Sequence, residues 1–341
     1  MNRKIKLLQE KKRIGIYLIL ALLIILLMIL WIHHNKNDSK ATIRVMGGRY
    51  FIQSESVEQK NAEESDPLLE DTDVEKYVRP SNLPVLNNKE LPSGFLRDNF
   101  GKEYSEIIMP EELFDTTEDT ILSYYSILRE AANPVEDKSA GCGTIGNATL
   151  PYPVAYNFLS KEYQKQLPYK EYLKTFENIL HLSVVKYRRI PIYEAPANTV
   201  RYFVEFETIE GTDKGSGSFS YYYAYVDVIK EGTGYKISNV DIYGENYLCA
   251  PMHGWAYDAE YVVQIEYGNW CSLVKELYPT DQSGYVKRIY FSGTDGKDYQ
   301  FVFFQLTNDT DVLIAQYRRT DEDHWELIKI DPNKCLKDSS L

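Results

Sequence analysis

The stretch FSYYYAYVDV, residues 219–228, decides the fold of this chain. Its side chains alternate between two faces. One face carries Tyr222, Ala224, Val226 and Val228, and the other carries Phe219, Tyr221, Tyr223, Tyr225 and Asp227. A two-residue period is typical of a β-strand, and tyrosine suits a strand that is half covered. The stretch therefore predicts a long strand with bulky side chains on both faces.

Three neighbouring stretches show the same period. VRYFVEFE, residues 200–207, alternates apolar side chains with arginine and glutamate. Branched apolar residues mark a strand over 182–192, and YKISNVDI, residues 235–242, follows a glycine-rich turn. Turns separate these stretches, so we expect four consecutive antiparallel strands.

Upstream of the strands, the apolar period lengthens to that of a helix. Thr116 or Thr117 can cap a helix whose apolar positions are Ile121, Leu122, Tyr125, Leu128 and Ala132. Shorter helices are predicted at 152–159, 160–167 and 168–180. Helices followed by antiparallel strands indicate an α+β domain over 116–249, in which helices pack on one face of a curved antiparallel sheet.

A second, smaller α+β unit is predicted over 250–335. Residues 255–278 have a helical pattern, although Gly268 weakens its middle. Four strands follow at 286–291, 299–306, 312–317 and 325–330, joined by turns rich in Asp, Asn and Gly. This order is a helix followed by a meander.

The N-terminal region predicts a transmembrane helix. Residues 14–32, IGIYLILALLIILLMILWI, contain no charge and would extend roughly 28 Å as a helix, close to the thickness of a bilayer core. The basic tail 1–13 is expected to stay in the cytoplasm. A cleaved signal peptide is the alternative, but Trp31 ends the run where a small-x-small cleavage site would stand.

Residues 33–115 are expected to form an acidic, mostly disordered linker. Between Ser54 and Glu75 there are nine acidic residues and one lysine, a composition that cannot bury enough surface to fold. A hairpin around Gly47 and Gly48 and docking of Leu113 with Phe114 are the two expected exceptions.

Composition restricts the partners. The chain has a net charge of −12, although its first 13 residues are basic, so the part beyond the predicted helix repels nucleic acid. We therefore expect the cytoplasmic membrane as one partner, and a protein partner or self-association through the exported domains. No cofactor is expected.

The four cysteines, Cys142, Cys249, Cys271 and Cys335, all follow the predicted helix, on the side where disulfides form. They allow three pairings, and the sequence does not choose among them. Pairing Cys142 with Cys249 and Cys271 with Cys335 is favoured because each bridge stays within one domain. No Cys-x-x-Cys spacing is present, so no metal site is predicted.

The run AYNFLSKEYQKQLPYKEYLKTFENI, residues 155–179, followed by strands ending in YKISNVDIYG, resembles the nuclear transport factor 2-like superfamily. The resemblance covers about 116–249 and implies a cone of helices on a bent sheet. Some members are isomerases or cyclases that use a pocket Asp with Tyr or His, and others are noncatalytic. Membrane-anchored bacterial members include conjugation and secretion scaffolds. The loop 134–153 is longer than the resemblance implies, and it could block the mouth of the cone.

The best pocket candidates are Tyr221, Tyr223, Tyr225 and Asp227. If this face lined the cone, Asp227 would be a candidate base with a raised pKa. The alternative is that the other face of the strand lies inside and that Asp227 is an outward surface group. His181, His253 and His324 show no catalytic spacing, and no nucleophile, zinc-protease or phosphate-loop motif is present. No catalytic residue is therefore assigned.

The sequence favours a noncatalytic, membrane-tethered extracytoplasmic protein with an interaction or ligand-sensing role. Two alternatives remain. One is a scaffold component of a conjugation, secretion or envelope-assembly complex. The other is a small-molecule binding protein or isomerase-like enzyme that uses a Tyr-lined cone.

Overall fold

The computed structural model describes residues 44–46, 49–51, 79–141, 147–245, 254–321 and 324–338. The predicted basic tail 1–13 and transmembrane helix 14–32 lie outside these ranges. Within them, no helix combines the length and apolar character needed to cross a bilayer. Strands β1 (Arg44–Met46) and β2 (Arg49–Phe51) form a two-stranded sheet at the position of the predicted hairpin.

The predicted α+β class with curved antiparallel sheets is confirmed. The first sheet contains β3 (Ile179–Ile190), β4 (Thr199–Gly211), β5 (Gly217–Glu231) and β6 (Gly234–Gly244). The strands are antiparallel and stand in sequence order. Each predicted strand is present. Strands β4, β5 and β6 are longer than predicted at both ends, whereas β3 begins earlier than predicted and ends at Ile190 instead of residue 192.

Helices cover one face of this sheet. They are α1 (Phe95–Asn99), α2 (Thr117–Arg129), α3 (Tyr152–Tyr156), α4 (Lys161–Gln166) and α5 (Tyr169–Lys174). Helix α2 begins as predicted, because Oγ1 of Thr116 accepts a hydrogen bond from the backbone N–H of Asp119 at 2.9 Å. The core between the helices and the sheet is rich in buried rings, namely Tyr124, Tyr125, Tyr152, Tyr156, Phe158, Tyr172, Phe176 and Phe206.

The described part of the predicted linker, residues 79–115, packs on the first domain. Besides α1, it forms 3-10 turns at Tyr104–Glu106 and Glu111–Leu113. Four of its apolar side chains belong to the main core: Phe95, Ile107, Leu113 and Phe114. The expected docking of Leu113 and Phe114 is thus confirmed. The composition of the segment did not predict the packing of Phe95 and Ile107, because widely spaced apolar residues in a polar segment show no period.

The buried side-chain amide of Asn87 holds residues 79–115 against the first sheet. The side chain of Asn87 donates to the carbonyl oxygens of Tyr125 at 3.0 Å and Leu182 at 3.1 Å, and it accepts from the N–H of Val184 at 2.8 Å. The N–H of Leu86 donates to the carbonyl oxygen of Val184 at 2.9 Å. Strand β3 lies at the edge of its sheet, so these bonds satisfy backbone groups that the edge would otherwise expose.

The second sheet has six strands. They are β7 (Val274–Leu277), β8 (Asp281–Ser283), β9 (Val286–Gly293), β10 (Asp298–Gln305), β11 (Asp311–Asp321) and β12 (His324–Ile328). The order is β12-β11-β10-β9-β7, and β8 also pairs with β9. The last four strands match the predicted meander, and β7 and β8 were not predicted.

The predicted helix 255–278 is shorter than expected. A 3-10 turn at Trp255–Tyr257 leads into α6 (Ala259–Val262), which continues as a π-helix, Val263–Trp270. Ser272 then adopts a left-handed conformation, with φ of 51°, which ends the helix. The prediction was wrong beyond Trp270, because pairing of β7 with β9 outweighs the local helical pattern.

One disulfide links the end of this helix to the C-terminal helix α7 (Pro332–Asp338). It joins Cys271 to Cys335, as favoured from the sequence, across a separation of 64 residues. Closing a loop of that length removes conformational entropy from the unfolded chain. Cys142 and Cys249 lie outside the described residues, so their pairing stays a prediction.

Candidate functional site

The four predicted pocket residues share one face of β5, as their spacing requires, but this face points away from the helices. Tyr222, Ala224, Val226 and Val228 belong to the core that the helices cover. Tyr223 and Tyr225 instead pack near a separate cluster that includes Phe203, Phe304 and Val286. Of the two faces weighed from the sequence, the tyrosine face is therefore the one turned toward the second sheet.

Asp227 is held in an ion pair. Nε and Nη2 of Arg201 donate to its two carboxylate oxygens at 2.6 and 2.8 Å. A two-bond guanidinium pair of this kind fixes the orientation of the carboxylate. Arg201 therefore occupies the side of the Asp227 carboxylate that a substrate would have to approach if Asp227 acted as a base.

The tyrosines of the same face are also committed to protein contacts. The Tyr221 hydroxyl donates to Oε2 of Glu207 at 2.5 Å. The rings of Tyr223 and Tyr243 stack with centroids 5.1 Å apart, and Tyr223 lies 5.8 Å from Phe203. Burial raises the pKa of both Tyr223 and Tyr225. Their hydroxyls thus stay protonated, and their rings form a packed layer on the sheet.

A buried ionic cluster, which the sequence did not reveal, lies beside this layer. Nζ of Lys186 donates to Oε2 of Glu205 at 2.6 Å, and the two side chains have exposed fractions of 6% and 0%. Lys186 also donates to the carbonyl oxygen of Gln305 at 3.0 Å, and Oε1 of Glu205 accepts from the N–H of Thr307 at 2.7 Å. The pair therefore connects the first sheet to the loop that follows β10.

The strand pattern held a partial signal for this cluster. Glu205 and Glu207 alternate with Val204 and Phe206, which identifies a charged face of β4. A solvated face explains such a pattern equally well. Docking of the second sheet buries Glu205, whereas Arg79 and Ser81 of the segment before α1 cover Glu207.

Glu245 stands next to the ionic pair. Both of its carboxyl oxygens are buried, and the carboxyl group of Glu205 lies close to them. Burial, together with the negative charge of Glu205, raises the pKa of Glu245 to about 9. The protonated form therefore dominates in the folded protein at neutral pH.

Replacing Glu245 by Gln is expected to remove one component of the pH dependence of stability. A carboxyl in the unfolded chain titrates near 4.5, so only the folded state holds this proton between that pH and about 9. The free energy of unfolding of the natural chain falls as pH rises through this window, and the glutamine variant lacks that fall. Urea denaturation at about pH 5, 7 and 9 measures the difference, which grows with pH in favour of Glu245→Gln.

The matched control for this measurement is Glu162→Gln, at a carboxylate with an exposed side chain that pairs with Lys165. It should follow the natural chain at every pH. If Glu245→Gln did the same, the carboxyl would be ionised in the folded state, and the assignment would be wrong.

The histidines form no catalytic arrangement among the described residues. His181 lies in β3, where its Nε2 is 3.2 Å from Oγ of Ser183, and His324 begins β12. His253 lies outside the described ranges. Within those ranges, no group of three or more His, Cys, Asp or Glu side chains could hold a metal ion.

A surface of exposed aromatic residues, which we call the aromatic ridge, lies at the start of the second domain. It consists of Trp255, Tyr257 and Tyr261, whose exposed fractions are 39, 48 and 55%. The ring of Trp255 meets that of Trp270 edge-on, with centroids 5.7 Å apart. Trp270 precedes the disulfide-bonded Cys271, so the ridge is built on a fixed helix. Large exposed rings on a fixed support are typical of protein interfaces.

No protein-family model matches this chain, and no curated protein or solved structure matches it. The function proposed below therefore rests on the geometry of the molecule.

Proposed function

We propose that this chain is a noncatalytic interaction protein, tethered to the cytoplasmic membrane through residues 14–32, that displays its two α+β domains outside the membrane. The aromatic ridge is the observation that carries this proposal. Trp255, Tyr257 and Tyr261 expose large apolar areas to solvent, although burial of each ring would be favourable. A protein partner that covers the ridge supplies this burial.

The filled core supports a noncatalytic role. An enzyme of the cone type needs a cavity between the helices and the sheet. In this chain that space holds aromatic rings such as Phe158 and Tyr172, both less than 2% exposed. Tyr172 and Tyr124 direct their hydroxyls toward each other at 3.3 Å, so their polar ends are also in contact with the protein.

The order of elements supports membership of the first domain in the nuclear transport factor 2-like superfamily. Short helices precede four long antiparallel strands and pack on one face of their sheet. Membership would place the domain among binding modules as readily as among enzymes. The proposed role rests on the aromatic ridge and does not depend on this membership.

Photo-crosslinking in membranes of the native host tests the proposal. We expect benzoylphenylalanine at Tyr261 or Tyr257 to give a discrete adduct with a protein, because either side chain would lie inside the interface. Replacing both tyrosines by alanine should lower the yield from a third probe at Trp255 by about tenfold or more, the usual effect of losing anchor residues.

The matched control is the same probe at Tyr193, which is 43% exposed and lies on the first domain. It should give no such adduct. Equal adducts from both domains would indicate random collision, and the absence of any adduct from the ridge would overturn the proposal. The mass of the adduct also distinguishes a second copy of this chain, as a scaffold would give, from a different protein.

A further inference from the structure

A cleft of about 350 Å³ lies between the end of β3 and the second sheet. Its floor is apolar and includes Val302 and Phe304, and Trp325 stands at its side. Volumes of a few hundred Å³ with apolar walls and a few polar groups are typical of sites for small molecules, and such sites favour domain interfaces. A folded protein partner is too large for this space.

Three arginines, Arg188, Arg189 and Arg288, line the same cleft. No Asp or Glu is among its described lining residues, although acidic residues exceed basic ones by 12 in the whole chain. The cleft therefore concentrates positive charge on an acidic protein. Walls of low polarity strengthen the field of such charges inside a cleft.

Two of the three guanidinium groups are not engaged by the protein. Arg288 donates to Asp281 at 3.1 Å. Arg188 and Arg189 are exposed, and neither meets a hydrogen-bond acceptor or an ion-pair partner among the described residues. Their planar, permanently charged groups suit a carboxylate, which can accept two parallel hydrogen bonds from one guanidinium.

We propose that this cleft binds a small organic carboxylate with an apolar, ring-containing body. The carboxylate would pair with Arg188, whose register partner Phe203 lies on the face of the first sheet that is turned toward the second sheet, and the body would rest on Val302 and Phe304 beside Trp325. The proposal concerns a site separate from the aromatic ridge and does not rest on the proposed interaction role.

Calorimetric titration of the full chain with biphenyl-4-carboxylate tests this proposal, and the neutral biphenyl-4-carboxamide tests the need for charge. We expect the carboxylate to bind at least about tenfold more tightly than the amide, because only the carboxylate gains charge-assisted hydrogen bonds. The affinity should also fall as salt is added, since Arg188 is exposed.

Two variants locate the site. Arg188→Gln should weaken binding of the carboxylate by about tenfold or more. Gln300→Glu places a carboxylate in the cleft and should also weaken binding by repulsion, with little change to the shape of the cleft. The control is Arg97→Gln with Lys165→Gln, which removes two cations whose side chains are 82% and 73% exposed and should leave binding unchanged.

Thermal unfolding of each variant shows whether it remains folded, so a loss of binding can be assigned to the cleft. Equal binding of carboxylate and amide would mean nonspecific apolar association and would overturn the proposal. Binding that survives in Arg188→Gln, or that is absent from the natural chain, would overturn it as well.

Discussion

Replacing Lys186 by Met lowers the free energy of unfolding by an expected 3–5 kcal/mol, roughly the effect of breaking a buried ion pair. The substitution removes the cation but leaves the carboxylate of Glu205, whose side chain is fully buried, without its partner at 2.6 Å. It also removes the hydrogen bond to the carbonyl oxygen of Gln305, which joins the two sheets. Urea denaturation at neutral pH measures the loss.

A second substitution separates charge from packing. Adding Glu205→Gln to Lys186→Met removes the stranded charge and keeps an oxygen that accepts from the N–H of Thr307. We expect this double variant to recover most of the lost stability. The exposed pair of Lys165 with Glu162 provides the control, since Lys165→Met should cost no more than about 0.5 kcal/mol. Equal losses for Lys186→Met and Lys165→Met would contradict the burial of the first pair.

Asn87→Leu is expected to lower the free energy of unfolding by about 3–5 kcal/mol, because three buried backbone groups each lose a hydrogen bond worth about 1–3 kcal/mol. The three groups belong to Tyr125, Leu182 and Val184. Leucine has a similar size but neither donates nor accepts. Hydrogen exchange should accordingly become faster at Leu86, whose N–H bonds to the edge of β3.

Asn88→Leu is the matched control, since Asn88 is the adjacent residue and its side chain is exposed. A change of no more than about 0.5 kcal/mol is expected there. If the two leucine variants were equally stable, the segment before α2 would not be held by Asn87, and the fold would have to tolerate its release.

The sequence predicts which segments form helices and strands better than it predicts which surfaces those segments pack against. The alternation in β5 and the capping residue Thr116 are local signals, and the structure contains the corresponding strand and helix. The choice of face in β5 is not local. Both faces carry bulky side chains because both are covered, and only the position of the second sheet shows which face lies in the main core.

The candidate site was harder to predict for the same reason. Tyr221, Tyr223, Tyr225 and Asp227 do share a face, but the partners that engage them come from other strands, as Arg201 does for Asp227. The ionic pair of Lys186 with Glu205 and the arginine cleft require contacts between the two domains. Neither has a spacing in the sequence that distinguishes it from a solvated strand face.

The packing of residues 79–115 has a mechanical consequence. A pulling force transmitted from the predicted membrane helix would reach Arg79 and Ser81, which contact Glu207, and then Leu86 and Asn87, before it reached α2. The contacts with Glu207 and the bonds to Val184 at the sheet edge would bear that load before α2 did. Once released, residues 79–115 could extend to a total length of roughly 120 Å, at about 3.3–3.6 Å per residue. Residues 79–115 would thus take up tension before it reached the strands of the first sheet.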